Sequence, residues 1–230
     1  METEIYIDIE TGPLPAEQRE AWRPDIDKFA LNCDKRWKPE TVQANYEKKL
    51  GEWERGEGAA LSAATGRVLL ICYAVNNGDV ATLSNEDMDN SGEADVLFRI
   101  ADVVGSYPGC LLIGHNVAGF DLPFLTRRAW VRRTPEVPWS PRYSTGMMDD
   151  GRVRDTMKIW QQGDRQAMIS LDRLASTFGV HREAPEDPMM GAVTGARFAE
   201  FWEAGKRDLC ADYCENDVLM ARDCYGRMSK

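Results

Sequence analysis

The stretch EIYIDIETG at residues 4–12 constrains the fold of this chain more than any other stretch. Isoleucines at alternate positions give it a period of two, which predicts a β-strand with one apolar face. Because side chains alternate between the two faces of a strand, Asp8 and Glu10 project together from the opposite face. Two carboxylates this close repel one another unless a cation lies between them. The stretch therefore predicts either half of a divalent-metal site or an acidic edge strand that faces solvent.

Composition and charge describe an ordinary globular chain. Its 230 residues, 43% hydrophobic and 29% charged, favour a single domain over residues 1–230. No run of about 18 apolar residues and no basic-then-apolar leader is visible, so we expect a cytoplasmic protein without a membrane span. The net charge of −10 disfavours a general polyanion binder but not an enzyme that contacts a few phosphates locally.

The cysteines indicate a reducing environment. Six are spread along the chain without a C-x-x-C pair, which favours buried free thiols over a disulfide framework. Cys210 and Cys214 lie four residues apart on a predicted helix, but the chain has only two histidines, so a zinc site is disfavoured.

The order of predicted elements indicates an α/β fold. Residues 67–75 predict a buried strand, an Asn-Asn-Gly-Asp turn follows, and residues 80–83 return antiparallel. Helical spacing over 92–104 leads to a short apolar strand at 110–114, of the kind buried in parallel sheets. The rest of the chain predicts, in order, a helix with Asp121 at its N-cap, a loop at 134–152, a strand at 152–160, a helix capped by Ser170, an irregular stretch at 181–193, and helices at 197–204 and 207–228.

Three short fragments in this order carry a family resemblance. They are Asp8-x-Glu10 on the first strand, Asn116-x-x-x-Phe120-Asp121 after a buried strand, and Tyr213-x-x-x-Asp217 on the last helix. The last pair lies on one helix face, and alone it would indicate only a surface hydrogen bond. Together the fragments resemble the three motifs of the DEDD superfamily of 3′-5′ exonucleases, in its tyrosine-bearing branch. SLDRLASTFGV and DYCENDVLMARDCY are similar to predicted exonucleases related to the proofreading domain of family-B DNA polymerases.

The resemblance implies a ribonuclease H-like fold, with a central mixed β-sheet flanked by helices and the first strand at its centre. It also implies hydrolysis of phosphodiester bonds at the 3′ end of single-stranded nucleic acid, with release of nucleoside 5′-monophosphates. DNA is favoured, although no side chain identifies a sensor of the 2′-hydroxyl. Two divalent ions, Mg²⁺ or Mn²⁺, would be held about 3.5–4 Å apart by four carboxylates: Asp8, Glu10, Asp121 and Asp217.

By the same resemblance, Tyr213 would orient the attacking water or help to deprotonate it, and orientation is favoured because a phenol of ordinary pKa about 10 is a poor base. The backbone N–H groups of Thr11 and Gly12 would hold the terminal nucleotide. Asn116 and Phe120 would contact the substrate strand, although bracing of the loop is an equal alternative for Asn116. His115 is expected to be structural.

Several residues near these motifs have two interpretations each. Asp155 either supports the acidic residues or caps a helix. Four arginines after the second motif form either a phosphate-contacting patch or an ordinary solvated helix face: Arg127, Arg128, Arg132 and Arg133.

The resemblance leaves out residues 13–60, which we interpret as a helical insertion. A helical face that begins near Pro39 comprises Val42, Tyr46, Leu50 and Trp53. The three tryptophans of the insertion either stack on bases or pack in a core: Trp22, Trp37 and Trp53.

The motifs are also compatible with two other functions. One is a catalytically weak nuclease fold that binds nucleic-acid ends or a partner protein, and the other is an endonuclease on the same fold. A polymerase or another replication or repair protein is a possible partner.

Overall fold

The structure, a computed structural model, describes residues 2–87, 91–138 and 151–229. A five-stranded mixed sheet has the order β3-β2-β1-β4-β5. Its strands are β1 (Glu4–Pro13), β2 (Gly66–Val75), β3 (Val80–Ser84), β4 (Leu111–Gly114) and β5 (Val153–Asp155). β1 pairs antiparallel with β2 and parallel with β4, which confirms the first strand as the central one.

Eight α-helices within the described residues accompany this sheet. They are α1 (Ile26–Leu31), α2 (Pro39–Glu54), α3 (Glu93–Gly105), α4 (Asp121–Arg132), α5 (Thr156–Gln161), α6 (Leu171–Thr177), α7 (Phe198–Glu203) and α8 (Arg207–Met228). Short 3-10 helices cover Ala16–Trp22, Ala59–Leu61 and Gly195–Arg197. None of the helices in the described ranges combines the length and apolarity needed to cross a bilayer.

Each face of the sheet has its own apolar core, and the alternation in β1 supplies both. Ile5 and Ile7 are buried with residues of α3 and α4, while Tyr6 is buried with residues of α7 and α8. Full burial of an isoleucine side chain contributes about 1.5–3 kcal/mol. Asp8 and Glu10 share the face of Tyr6, so the strand directs both carboxylates toward α8.

The hairpin, the helices at 92–104, 197–204 and 207–228, and the Ser170 cap are confirmed within one or two residues. The predicted strand at 152–160 is wrong after Asp155. The Asp155 carboxylate accepts hydrogen bonds from the backbone N–H groups of Met157 and Lys158, and an N-cap of this kind starts a helix.

Two further predictions need correction. α4 begins at Asp121, with Phe120 in the N-cap position and no capping side chain, because the Asp121 carboxylate accepts a hydrogen bond from β1 instead. The stretch at 181–193 contains a two-stranded sheet, β6 (Glu186–Asp187) with β7 (Gly191–Ala192). Most of the loop predicted at 134–152 lies outside the described residues.

The arginines after the second motif do not form one surface. Arg128 is 1% exposed and makes a two-pronged ion pair with buried Glu93, with N–O distances of 2.8 and 2.6 Å. Its third nitrogen donates to the carbonyl of Ala63 at 2.9 Å. Both sequence interpretations are therefore wrong for Arg128, which joins α4 to α3, whereas Arg127 and Arg133 are exposed.

Residues 13–60 contain α1 and α2, with Pro39 in the first turn of α2 as predicted. Neither helix has a buried residue. Buried Arg19 joins the start of the segment to the C-terminal end of α2, because its guanidinium donates to the carbonyls of Leu14, Trp53 and Glu54. The interpretation as an insertion within one domain stays a prediction.

The six cysteines are free, and all except partly buried Cys33 are buried, as the sequence predicts.

Candidate active site

Three carboxylates meet where β1 faces α8. Asp8, Glu10 and Asp217 are partly buried, and each offers a ligand oxygen such that these atoms all lie within 4.8 Å of one another. Asp8 and Glu10 come from one face of β1, and Asp217 lies one helical turn after Tyr213 on α8. Hard carboxylate oxygens in this arrangement suit a divalent cation such as Mg²⁺ or Mn²⁺.

Side-chain contacts fix the rotation of α8 against the sheet. The Cys214 thiol lies 3.5 Å from the Asp8 carboxylate, and Cys72, opposite Asp8 on β2, is fully buried. One residue further along the helix, the Glu215 carboxylate accepts a hydrogen bond of 2.9 Å from the Thr82 hydroxyl on β3. These contacts direct Asp217 toward β1.

Asp121 lies beside this group but is not one of the three. It is buried at the start of α4, and its Oδ1 accepts a hydrogen bond of 3.2 Å from the backbone N–H of Ile9, between Asp8 and Glu10. Its charge raises the pKa of Asp8 and of Glu10. The structure thus brings the four predicted carboxylates to one end of β1, three of them in the tight group.

Burial and repulsion from neighbouring carboxylates raise the pKa of all four acids. Burial is the largest cause for Asp8 and Glu10, and repulsion from Asp217 and Asp121 follows, so that both pKa values lie well above the ordinary range. The pKa of Asp121 rises to about 7, chiefly through burial. The pKa of Asp217 also rises to about 7, through burial and then repulsion from Asp172. Without a cation, the group therefore retains protons near neutral pH.

Tyr213 is protonated in this setting. Burial first, and then the negative charge of Asp217, Glu10 and Asp8, raises its phenol pKa further above the ordinary value. A hydrogen bond from its hydroxyl acts in the opposite direction on Asp217 and lowers the pKa of that carboxyl. The hydroxyl is consequently a donor to Asp217, and its expected role toward an attacking water stays a prediction.

Thr11 and Gly12 follow directly after the acidic pair, within β1. The pairing of β1 with β2 shifts by one residue between Glu10 and Thr11, since Glu10 lies opposite Leu70 and Thr11 lies opposite Val68. Gly12 is buried so tightly that a Cβ there would lie 2.6 Å from a methyl group of Leu69. Contact of their N–H groups with a nucleotide stays a prediction.

Asn116 occupies a turn that needs a left-handed backbone, with φ of 57°. Its carbonyl accepts hydrogen bonds from the N–H groups of Gly119 and Phe120, both at 2.9 Å. These bonds favour bracing of the turn as its backbone role. The Phe120 ring packs on Phe124 at a centroid distance of 5.4 Å and is partly buried against the core.

Hydrogen bonds of Asp155 and His115 stabilise the same turn and the residue before it. The Asp155 carboxylate accepts from the N–H groups of Asn116 and Ala118, at 3.0 and 3.1 Å, as well as capping α5. The His115 ring bonds to the Thr156 hydroxyl and the Ile169 carbonyl, both at 2.9 Å. Burial lowers the pKa of His115, so the ring is neutral and its structural interpretation is supported.

Two neighbours of the acids were not predicted from the sequence. Asp172, near the start of α6, repels Asp217, and Cys214 contacts Asp8. The position of Cys214 near the acids could have been predicted from the sequence, because it adjoins Tyr213 on the helix that bears the third motif. The sequence does not predict the position of Asp172, since its approach to Asp217 depends on how α6 packs against α8.

Comparisons with known proteins agree with this geometry. Residues 61–230 match a family described as predicted 3′-5′ exonucleases related to the exonuclease domain of PolB. Among solved structures, the family B DNA polymerase from the hyperthermophilic archaeon Pyrobaculum calidifontis is similar, with a TM-score of 0.60 and 19% identity. The match covers 100% of this chain and 25% of the polymerase, and it supports the ribonuclease H-like fold alone. None of the curated protein sequences matches. Because the family match extends over well more than half of the sequence, the chain belongs to the family of predicted 3′-5′ exonucleases related to the exonuclease domain of PolB.

Proposed function

We propose that this protein is a metal-dependent exonuclease that hydrolyses the terminal phosphodiester bond at the 3′ end of single-stranded nucleic acid. DNA is the favoured substrate, and nucleoside 5′-monophosphates are the products. The observation that carries the proposal is the group of Asp8, Glu10 and Asp217 on facing elements, in a chain that belongs to an exonuclease family.

The acidic group fits divalent cations for a physical reason. Burial and repulsion oppose ionisation of these carboxyls, and a cation reverses that balance by neutralising the charge. We propose that Asp8, Glu10 and Asp217, joined by Asp121, hold two ions, Mg²⁺ or Mn²⁺. When bound, such ions supply activation of water and neutralisation of charge on the reacting phosphate.

Tyr213 has a positioning role in this proposal. Its protonated hydroxyl lies on the same helix face as Asp217, one turn away, and its oxygen would accept a hydrogen bond from the attacking water while its proton is donated to Asp217. A phenol with a raised pKa is a poor base. We therefore expect Tyr213→Phe to lower kcat by about 10- to 100-fold, less than loss of an acidic ligand, because positioning contributes less than metal binding.

The neighbouring turns would hold the end of the strand. In the proposal, the N–H groups of Thr11 and Gly12 contact the terminal nucleotide. The Asn116 side chain and the Phe120 ring border the approach to Asp121. The firm bracing of the Asn116 turn by Asp155 supports this, because a fixed turn binds a substrate with less loss of entropy.

The deciding experiment incubates the purified chain with single-stranded DNA labelled at its 5′ end and with circular single-stranded DNA. RNA and duplex DNA of the same sequence run in parallel. With Mg²⁺ or Mn²⁺ we expect stepwise shortening of the linear strand, release of 5′-monophosphates and intact circles. Undiminished activity in EDTA, or in the Asp8→Ala protein, would contradict the mechanism, and cleavage of circles would indicate an endonuclease.

A catalytically weak module that binds ends or a partner protein is the alternative. The complete set of four carboxylates and Tyr213 weighs against it. A calorimetric titration with Mg²⁺ and Mn²⁺ separates the two, since absence of binding would favour the module.

A further inference from the structure

Residues 22–37 expose a concentration of large apolar side chains. Trp22 is 51% exposed and Trp37 is 43% exposed, and Ile26 and Leu31 in the same stretch are also exposed. Isolated exposed apolar residues are common, but a group within one short segment is typical of a binding surface.

Trp22 and Trp37 line the same cavity. It has a volume of about 540 Å³, and Lys28, Phe29 and Lys49 also line it. We call the cavity defined by these five residues the insertion cleft. Its volume falls within the range of about 300–1,000 Å³ typical of small-ligand sites, which suits nucleotide-sized groups.

Two other aromatic residues of the segment, Trp53 and Tyr46, make contacts within the segment. The guanidinium of Arg19 lies 4.8 Å from the ring centroid of Trp53. Phe29 packs against Tyr46 at a centroid distance of 5.9 Å, and the Tyr46 hydroxyl donates to the carbonyl of Pro24 at 3.3 Å. Trp53 and Tyr46 thus pack against other residues of the segment, whereas large parts of Trp22 and Trp37 are exposed.

The segment is nearly neutral in a chain that is acidic as a whole. Residues 13–60 carry nine basic and ten acidic side chains, in a chain whose net charge is −10, so nearly all of the net negative charge lies outside the segment. Asp25 and Asp34 also border the cleft, and the Asp34 carboxylate is paired with Arg36 at 2.6 Å. A local patch in an acidic protein is enough to contact a few phosphates.

The cleft belongs to a segment that is attached next to the acidic group. β1 ends at Pro13, three positions after Glu10, and the chain enters the insertion there. Arg19 then ties Leu14 to the C-terminal end of α2 through their carbonyls. The root of the insertion is consequently held beside the end of β1 that bears the carboxylates.

We propose that the insertion cleft binds the single strand on the 5′ side of the terminal nucleotide, with Trp22 and Trp37 stacking on bases and Lys28 and Lys49 contacting phosphates. The inference deepens the proposed exonuclease function and rests on it. Base stacking on aromatic side chains tolerates any sequence, so the cleft would raise affinity for long strands without selecting a base.

A binding measurement in EDTA tests the cleft without cleavage. The Kd of a fluorescein-labelled 30-nucleotide oligothymidylate is measured for the wild type, Trp22→Ala/Trp37→Ala, Trp22→Phe/Trp37→Phe and Trp130→Ala. Trp130 lies on α4 and is 51% exposed, which makes it a matched control. Circular dichroism melting checks that each variant folds.

The expected result is an increase in Kd of about 10-fold or more for the double alanine variant. The phenylalanine variant should recover most of the affinity, and Trp130→Ala should match the wild type. Lys28→Ala/Lys49→Ala should reduce the slope of log Kd against log salt by about 1.4, or about 0.7 for each lost phosphate contact. An unchanged Kd in the double alanine variant, an equal loss in Trp130→Ala, or no binding by the wild type at low salt would overturn the inference.

A length comparison separates this inference from the proposed function. Hydrolysis of a thymidine dinucleotide with Mn²⁺ should be equal in the wild type and in Trp22→Ala/Trp37→Ala, while the KM for the 30-nucleotide strand rises about 10-fold in the variant. A wild type that hydrolyses neither substrate would refute the exonuclease proposal. The binding measurement would still test whether the insertion cleft binds single-stranded DNA. An equal loss of activity on both substrates would contradict strand binding by the insertion cleft and would leave the exonuclease proposal standing.

Discussion

The sheet region and the insertion differ sharply in how they are held together. In the sheet region, Ile5 and Ile7 are at most 1% exposed, and helices cover both faces. In the insertion, neither α1 nor α2 has a buried residue, and the guanidinium of buried Arg19 joins Leu14 to the C-terminal end of α2. Because buried apolar area is the main source of stability, the sheet region carries the fold, and the insertion is free to present a surface.

The acidic group is an exception to this contrast between a stable sheet region and an exposed insertion. It lies in the well-packed region, yet burial and repulsion make its carboxylates unfavourable there. Groups with strongly perturbed pKa values in a packed scaffold are typical of functional sites. The packing of β1 against α8 therefore stabilises an arrangement that the carboxylates alone would oppose, and a cation relieves it.

The largest expected effect is on catalysis. Asp217→Asn should lower kcat by about 10³-fold or more, because loss of a metal ligand removes several kcal/mol of transition-state stabilisation. Asp212→Asn is the matched control, since Asp212 lies on the same helix and is exposed, and it should retain full activity. Steady-state kinetics on a labelled single strand measures both, and equal rates for the two variants would place the chemistry elsewhere.

The buried ion pair gives the next effect, on stability. Arg128→Ala removes the closer arginine partner of fully buried Glu93 and leaves Arg132 at 3.7 Å, which should lower the free energy of unfolding by as much as about 3–5 kcal/mol. Exposed Arg127→Ala should change it by less than about 0.5 kcal/mol. Urea denaturation measures the difference.

A second substitution identifies the cause. Arg128→Ala/Glu93→Gln should recover part of the loss, because the amide still accepts the N–H of Val68 and the buried carboxylate that has lost its closer arginine is replaced by a neutral group. A double variant no more stable than Arg128→Ala would attribute the loss to packing of the arginine instead.

A smaller effect is the pH dependence of the metal-free protein. The pKa of Asp217 is about 7 in the folded chain, against an ordinary value of 3.8. Between these values the folded chain holds a proton that the unfolded chain has released, so this group's contribution to stability falls as pH rises from about 4 to about 7. Thermal melts in EDTA should therefore favour Asp217→Asn over the wild type at pH 8 but not at pH 4.

Metal should cancel that difference. Mg²⁺ or Mn²⁺ at pH 8 should raise the Tm of the wild type more than that of Asp8→Asn or Asp217→Asn, because binding to the folded state alone stabilises it. Equal shifts in all three proteins would show that the ion binds elsewhere.

The sequence predicts the sheet region well and the insertion poorly, for physical reasons. The period of two in β1, the turn at 76–79 and the 22-residue helix α8 are local patterns, so they are visible along the chain. The resemblance carried by the three motifs implies which carboxylates converge, and the structure brings all four together at β1. The pairing of Arg128 with Glu93 is not visible, because it joins residues 35 positions apart on separate helices.

Local competition explains two of the errors. Asp155 ends a strand pattern because its carboxylate caps the next helix. Asp121, which resembles an N-cap, accepts a hydrogen bond from β1 instead. In both cases a carboxylate has several possible N–H partners, and only the packed structure selects among them.

The same substitution at two leucines gives the smallest and most direct comparison of the two regions. Leu125 on α4 is 1% exposed, and Leu125→Ala should lower the free energy of unfolding by about 2–5 kcal/mol, since it removes apolar contacts and leaves a cavity. Leu50 on α2 is only partly buried and lies on the predicted apolar face, so Leu50→Ala should lower it by no more than about 1 kcal/mol. Chemical denaturation of both variants measures the contrast. A loss at Leu50 as large as that at Leu125 would mean that the insertion contributes to the folding core and is not a peripheral binding surface.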